Sequence, residues 1–271
     1  MRKDKMKAKT IFLLFLPVLL LAVGCATNPI SGKSQLMLFS EDQDIELGKS
    51  YAPEVEKEMG GKIQNLTLQN YINSVGLRVA AVSHKPYFDY HYTALEDKMV
   101  NAFALPGGYI FITRGMLEKL TSEAELASVL AHETTHVVAR HSSAQISREI
   151  GIEIALSAVS TKAPSGAMQV AGIARQIIGL SYSRSQERQA DLAGLDYMVK
   201  AGYDPYAMVE TMQMLEAENK SGQIEFLSTH PSPENRVEYI AQAIRNRGYD
   251  KLNLEKGTED YKKLVLDELK P

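Results

Sequence analysis

Apolar residues recur at three- and four-residue spacing along most of this chain, the spacing that predicts helices. Ile45, Leu47, Tyr51 and Val55 set one helix over residues 41–60. Leu66, Leu68, Tyr71, Ile72, Val75, Leu77 and Val79 set a second over 63–82. Alternating aromatic and polar side chains in YFDYHYTA predict a strand over 87–94. Two shorter strands are expected at 100–105 and 109–113, joined by the turn-forming Pro106-Gly107-Gly108. Beyond residue 114 the helical period returns over 122–142, 145–159, 170–182, 184–201, 205–219 and 233–247. No repeat and no long linker interrupts this order. The pattern therefore predicts one mainly α domain, formally α+β, with a small sheet or hairpin beside its helices.

The start of the chain departs from that pattern. Residues 11–23 are almost wholly apolar and follow Arg2, Lys3, Lys5, Lys7 and Lys9. A run of 13 residues is too short for a bilayer-spanning helix, which needs roughly 20, and matches the apolar region of a signal peptide. It ends at Leu21-Ala22-Val23-Gly24-Cys25, and Cys25 is the only cysteine in the chain. This stretch resembles the lipobox of bacterial lipoproteins, in which the cysteine is acylated and becomes the mature N-terminus. Ala22 stands where that pattern usually has Leu, with Leu21 one position further back. The resemblance implies a signal peptide over 1–24 and a membrane anchor through lipid on Cys25. Ala26 follows, rather than the Asp that retains such proteins at the inner membrane, so the implied location is the periplasmic face of the outer membrane. Residues 25–40, with Asn28-Pro29 and Ser31-Gly32 turn signals, read as a tether. The domain itself is expected over 41–250, and 251–271 as a C-terminal extension.

Composition adds three exclusions. A single cysteine leaves no internal disulfide, no cysteine-built zinc finger and no CxxC redox pair. The net charge of −3 argues against a nucleic-acid partner, and losing residues 1–24, which carry a net +4, leaves −7 on the remaining 247 residues. Hydrophobic content of 45% is enough for a core without staples.

The chemistry concentrates in Ala131-His132-Glu133-Thr134-Thr135-His136. Ser122-Glu123-Ala124-Glu125 has the form of a capping box, so a helix is expected to start there and carry this segment. On a helix His132 and His136 lie one turn apart on one face, where two imidazoles can grip one metal ion. Glu133 lies about 100° round the axis, close enough to address a metal-bound water without being a ligand. A catalytic zinc needs a third protein ligand and an open position. Ser185-Gln186-Glu187-Arg188-Gln189-Ala190-Asp191 offers it: Glu187 and Asp191 are again one turn apart, 51 and 55 residues after His136. Glu187 can complete the ligand set, and Asp191 can accept the Nδ1–H of a ligand histidine and so fix its tautomer.

These motifs, with Ser228-Thr229-His230-Pro231-Ser232-Pro233 and Arg236 after them, resemble the gluzincin metallopeptidases of the HtpX and CAAX prenyl protease type, metallopeptidase family forty-eight. The resemblance is strongest to their soluble periplasmic lipoprotein branch and runs from about Asn28 to Gly248; Asn28-Pro29-Ile30-Ser31-Gly32-Lys33 is similar to the opening motif of that branch. It implies a zincin-like domain with one Zn2+ per chain held by His132, His136 and Glu187, with Glu133 as general base and Asp191 orienting a ligand. It leaves the role of His230 open between oxyanion stabilisation, a fourth, latent metal ligand and a plain helix contact. The chain is expected to end before the helical repeat module that some relatives append.

Asn101, Ala102, Phe103 and Ala104 precede the histidine helix and read as an edge strand able to bind an extended peptide through main-chain bonds. The loop over 160–169 is a candidate lid. His84 and His91 have no metal-like partner in sequence, and His141 is expected to be a cationic residue suited to a helix end, out of phase with His136. The expected function is a zinc endopeptidase acting on unfolded or misassembled envelope proteins. The alternative is a chaperone or assembly factor for outer-membrane proteins that uses the same cleft for binding. A solute-binding lipoprotein would require a two-lobed α/β pattern that is not present.

Overall fold

Strand pairing begins at Cys25. In the computed structural model, which describes residues 24–159, 179–219 and 225–270, β1 (Cys25–Thr27) and β2 (Ser34–Leu36) pair antiparallel, with Cys25 opposite Leu36. Asn28 shapes the turn between them, its side-chain oxygen accepting from the main-chain N–H of Ile30 and Ser31 at 3.0 and 3.1 Å. Residues 25–40, expected as a tether, are folded onto the domain. Gln35 donates to the Ala139 carbonyl at 2.9 Å, and the Leu38 N–H donates to Ser147 Oγ at 2.9 Å.

Two capped helices follow. α1 (Glu41–Glu58) starts at a reciprocal capping box between Ser40 and Gln43, with Glu41, Asp42 and Asp44 complementing the positive end of its dipole. α2 (Leu66–Ala80) is capped by Asn65 and buries Leu68, Ile72, Val75 and Val79. The sheet comprises β3 (His91–Leu95), β4 (Ala102–Ala104) and β5 (Tyr109–Thr113) in the order β3-β5-β4, with β3 parallel and β4 antiparallel to β5. The first of these starts at His91 rather than 87, because its partner strand begins at Tyr109, directly opposite; Tyr87 is fully exposed. Alternation along the sheet splits the core. Leu95, Phe103, Leu105 and Phe111 pack on Tyr51, Val55 and Met59 of α1, while Ala102, Ala104, Ile110 and Ile112 face the main helical core.

After the short α3 (Arg114–Lys119), α4 (Glu123–Val138) runs through the centre of the molecule, with every residue from Ala124 to Val138 buried. Its cap forms by half of the expected box. Ser122 Oγ accepts from Glu125 N–H at 3.2 Å, but the Glu125 carboxylate takes the Thr121 hydroxyl at 2.9 Å instead of returning to Ser122. The helix also ends at Val138, not 142. Arg140 adopts a left-handed conformation (φ 55°), held there by Asp44 Oδ2 at 2.6 Å and the Phe39 carbonyl at 2.7 Å. α5 (His141–Val159) begins at once in a new direction.

The loop over 160–169 and most of the helix expected over 170–182 lie outside the described residues; Leu180 to Ser183 are not helical. α6 (Arg184–Lys200) starts at a second reciprocal capping box, Ser183 with Gln186. It lies so close to α4 that a Cβ on Gly194 would sit 3.1 Å from the Ala131 carbonyl carbon and the His132 nitrogen. α7 (Tyr206–Asn219), α8 (Phe226–Thr229), α9 (Arg236–Asn246) and α10 (Thr258–Tyr261) complete the packing around α4 and α6. The fold is one mainly α domain with small sheets, as the pattern predicts. No helix among the described residues is long and apolar enough to cross a membrane.

Candidate metal centre

His132 and His136 project from the C-terminal half of α4, Glu187 and Asp191 from the N-terminal half of α6, and His230 from the end of α8. All five, with Glu133, are fully buried. His132 Nε2 lies 3.0 Å from His136 Nε2 and 3.4 Å from Glu187 Oε2, and His136 Nε2 lies 3.3 Å from Glu187 Oε1. His230 Nδ1 joins them at 3.2 Å from His132 Nε2 and 3.0 Å from Glu187 Oε1. Ligand bonds of about 2.0–2.1 Å in a tetrahedron put donor atoms about 3.3 Å apart, so this spacing suits a small divalent ion. Three nitrogens and a carboxylate also match the donor chemistry of such an ion. Among the described residues this is the group of side chains with metal-ligand spacing.

Around these atoms, hydrogen bonds decide which nitrogen is bare. Asp191 Oδ1 sits 3.0 Å from His132 Nδ1 and, as a carboxylate, can only accept, so Nδ1 keeps its proton and Nε2 is the nitrogen that faces the other donors. Arg236 grips both Asp191 oxygens, at 2.6 and 2.9 Å, and the Tyr239 hydroxyl donates to Oδ2. Arg236 is 2% exposed and reaches Glu187 Oε2 at 3.4 Å. Tyr182 covers the other side, its ring centroid 3.9 Å from that of His136 and its hydroxyl 2.8 Å from Ser142 Oγ. Phe226 stacks on His230 at 4.3 Å.

Glu133 differs from its neighbours. Neither of its carboxylate oxygens has a hydrogen-bond partner, and His230 Nε2, also without one, is 3.6 Å away. Burial raises the Glu133 pKa above the ordinary carboxylate value against the pull of His230 and His132. At Glu187 and Asp191 burial acts in the same direction and loses: His230 and His132 hold Glu187 well below its usual value, and Arg236 and His132 lower Asp191. Burial disfavours a charge on His132, but Glu187 and Asp191 outweigh it and push that ring up to about 9. Burial prevails at His136, lowering it well below the usual range. Two ionised carboxylates in a dry pocket thus favour a cation among the rings.

His141 corrects the sequence reading. It is buried, not a charged helix end, and burial pushes its pKa down to about 4. Its Nδ1 lies 3.0 Å from His136 Nδ1. Helical phase excluded this contact, but the left-handed Arg140 breaks the helix and turns His141 back over His136. His84, bonded to the Tyr197 hydroxyl at 2.6 Å, and His91, stacked on Tyr109, stay outside the group.

Asn101 to Ala104 flank the centre as the edge of the sheet, but the edge is covered. The Val100 carbonyl accepts from the N–H groups of Glu225 and Phe226, and the Ala104 carbonyl accepts from Ser142 Oγ at 3.1 Å. Asn101 is fully buried, and Phe103 packs into the α1 core instead of facing the centre. Arg236, Tyr239, Tyr182 and Gln189 were not legible as parts of the centre. Arg236 and Gln189 at least fall within the motifs, whereas Tyr182 and Tyr239 carry no local signal.

The model of peptidase family M48 matches residues 66–244 of this chain. A beta-barrel assembly-enhancing protease of Yersinia pestis is 30% identical over 223 residues, covering 77% of this chain and 45% of that protein. The protein of the same name in Escherichia coli K12 is 28% identical, covering 78% and 46%. The mitochondrial metalloendopeptidase OMA1 of Schizosaccharomyces pombe is 33% identical over 222 residues, covering 79% and 65%. The chain thus spans less than half the length of the two bacterial relatives and under two thirds of the yeast one.

The proton drawn to His132 by Glu187 and Asp191 must leave before a metal can ligate its Nε2. Below about pH 9 a divalent metal therefore displaces a proton, and its affinity is expected to rise about tenfold per pH unit between about pH 6 and 8. Calorimetry in buffers of different ionisation enthalpy counts that proton; zero release would refute the assignment.

Proposed function

The chain belongs to peptidase family M48, and from that premise we propose that it is a zinc-dependent endopeptidase for unfolded or misassembled cell-envelope proteins. The observation that carries this reading is the pairing of a close-set donor group, His132, His136 and Glu187, with the buried, unpartnered carboxylate of Glu133. These three side chains would hold one zinc ion, which when bound supplies Lewis acidity toward a water and a peptide carbonyl. Glu133 takes the proton of the attacking water onto its carboxylate and gives it to the leaving amine nitrogen; its raised pKa suits both halves of that transfer. Asp191, clamped by Arg236 and Tyr239, keeps the His132 ring from turning.

His230 acts as a latch in this reading. Its Nδ1 is at ligand spacing from His132 and Glu187, where the attacking water is needed. The segment that carries it also covers the Val100 carbonyl, so its withdrawal would free the centre and the Val100 end of the strand edge, while Ser142 still holds the Ala104 carbonyl. Asn101 pairs with Thr113 and Leu105 with Tyr109, so Ala102 and Ala104 turn their main-chain groups away from β5, toward the covered edge. An extended substrate that adds to this edge is recognised through main chain with little sequence preference. That fits unfolded protein as the substrate class, and the names of the bacterial relatives favour outer-membrane proteins among them. The word assembly in those names also favours a second use of the cleft, holding a substrate without cutting it.

Glu133→Gln is expected to lower kcat on an unfolded protein by about 10²–10⁴-fold while zinc stoichiometry, read by metal analysis, stays at one. Wild-type cleavage by this variant refutes the role of Glu133, and rescue of an outer-membrane assembly defect by it supports the holding function. His230→Ala is expected to keep zinc and to cleave faster than wild type in the same assay. A loss of cleavage assigns His230 to the oxyanion instead.

Cys25, exposed at the start of β1, is the proposed lipid attachment point, anchoring the protein to the outer membrane on its periplasmic face. In cells labelled with a fatty acid, Cys25→Ser should lose the label and move to the soluble fraction; a labelled Cys25→Ser protein excludes this anchor.

A further inference from the structure

His132 has a carboxylate to fix its tautomer; His136 has none. Its Nδ1 instead faces His141 Nδ1 at 3.0 Å, and His141 Nε2 faces Gln189 Oε1 at 2.9 Å. Gln189 in turn pairs amide to amide with Asn28, Oε1 accepting from Nδ2 at 3.0 Å and Nε2 donating to Oδ1 at 3.3 Å. The orientation of Asn28 is set by the main chain, since its Oδ1 accepts from the Ile30 and Ser31 N–H groups.

Each bond fixes the next. With Asn28 Oδ1 turned to the turn's N–H groups, Gln189 must present its Nε2 to that oxygen and its Oε1 to His141. An amide oxygen only accepts, so the proton of His141 is on Nε2 and its Nδ1 is a bare acceptor. His136 must then donate from Nδ1, which leaves its Nε2 lone pair facing His132 and Glu187. We propose that Asn28, Gln189 and His141 are positioning residues of the metal centre, a relay from the turn between β1 and β2 to the tautomer of His136.

This relay rests on the zinc reading above and adds a role for the N-terminal hairpin. Residue 25 begins that hairpin and Asn28 follows its first strand, so a chain processed at Cys25 keeps every member of the relay. The hairpin is part of the centre, not only the segment that joins it to an anchor. The left-handed Arg140 serves the same end by turning His141 out of helical phase and over His136.

The test measures zinc affinity by chelator competition on the full chain, without reference to cleavage. His141→Leu is expected to weaken binding by about 10–100-fold. His141→Asn is expected to stay close to wild type, because Oδ1 of the new side chain stands where Nδ1 stood and accepts the same proton. Gln189→Met should weaken binding about tenfold in the wild-type background and leave the His141→Asn protein unchanged, since the relay is already cut there. Equal losses for His141→Asn and His141→Leu would make the residue a matter of volume and overturn the proposal, as would an equal cost of Gln189→Met in both backgrounds. Gln189 is only half-buried, so its substitution remains readable if a change at the buried His141 unfolds the chain, which circular dichroism of the metal-free proteins reports. A wild-type chain that binds no zinc refutes the zinc reading and this relay together; normal wild-type binding with unaffected variants refutes the relay alone.

Discussion

The contact on which this structure depends is the one between His132 of α4 and Asp191 of α6, 3.0 Å apart in an interior without water-exposed surface. A buried carboxylate is costly unless it is paired and hydrogen-bonded on all sides. Asp191 meets that condition with the ring of His132, both arms of Arg236 and the hydroxyl of Tyr239. Removing one partner of such a set typically costs about 3–5 kcal/mol, because the remaining charge stays buried. The packing of α9 follows from this. It brings Arg236 and Tyr239 to α6, and its apolar Ile240 and Ile244 fill the space between. The close approach of the two helices is possible because Gly194 presents no side chain to the backbone at His132.

A second constraint runs along the other side of α4. Helical periodicity continued past Val138 would send His141 away from His136. Arg140 prevents this by leaving the right-handed region, and its guanidinium bonds to Asp44 and the Phe39 carbonyl tie that break to the start of α1. The first turn of α1, the β1–β2 hairpin and the C-terminal end of α4 therefore form one assembly around His136. The two metal-facing histidines are held differently as a result. A carboxylate faces the outer nitrogen of one, and the imidazole of His141, backed by the amides of Gln189 and Asn28, faces that of the other.

Closure is the third property of the arrangement. Phe226 stacks on His230, Tyr182 on His136, and the N–H groups of Glu225 and Phe226 cap Val100 at the sheet edge. Water is excluded from the donor atoms, and the carboxylate of Glu133 is left without a partner. An unpartnered buried carboxylate is an unfavourable feature that packing elsewhere must offset, and it is characteristic of groups kept for proton transfer. The strand edge is covered as well, by Glu225 and Phe226 at Val100 and by Ser142 at Ala104.

Much of this was determined by sequence alone. The HExxH spacing and the Glu187–Asp191 spacing each lie within one helix, where a period of 3.6 residues fixes which side chains share a face. The apolar periods located most helices to within a few residues, and the Ser122 cap marked the start of α4, for the same local reason. What the sequence did not contain was anything that depends on where the period stops. The left-handed Arg140 is stabilised by Asp44, 96 positions away, and nothing near Arg140 announces it. The pairing of Asn28 with Gln189 joins residues 161 apart, and the clamp of Arg236 on Asp191 joins residues 45 apart. Local spacing named His132, His136 and Glu187, which the structure brings together at metal-ligand spacing. Only the tertiary structure decided which proton each of them carries, because that depends on partners brought together by packing.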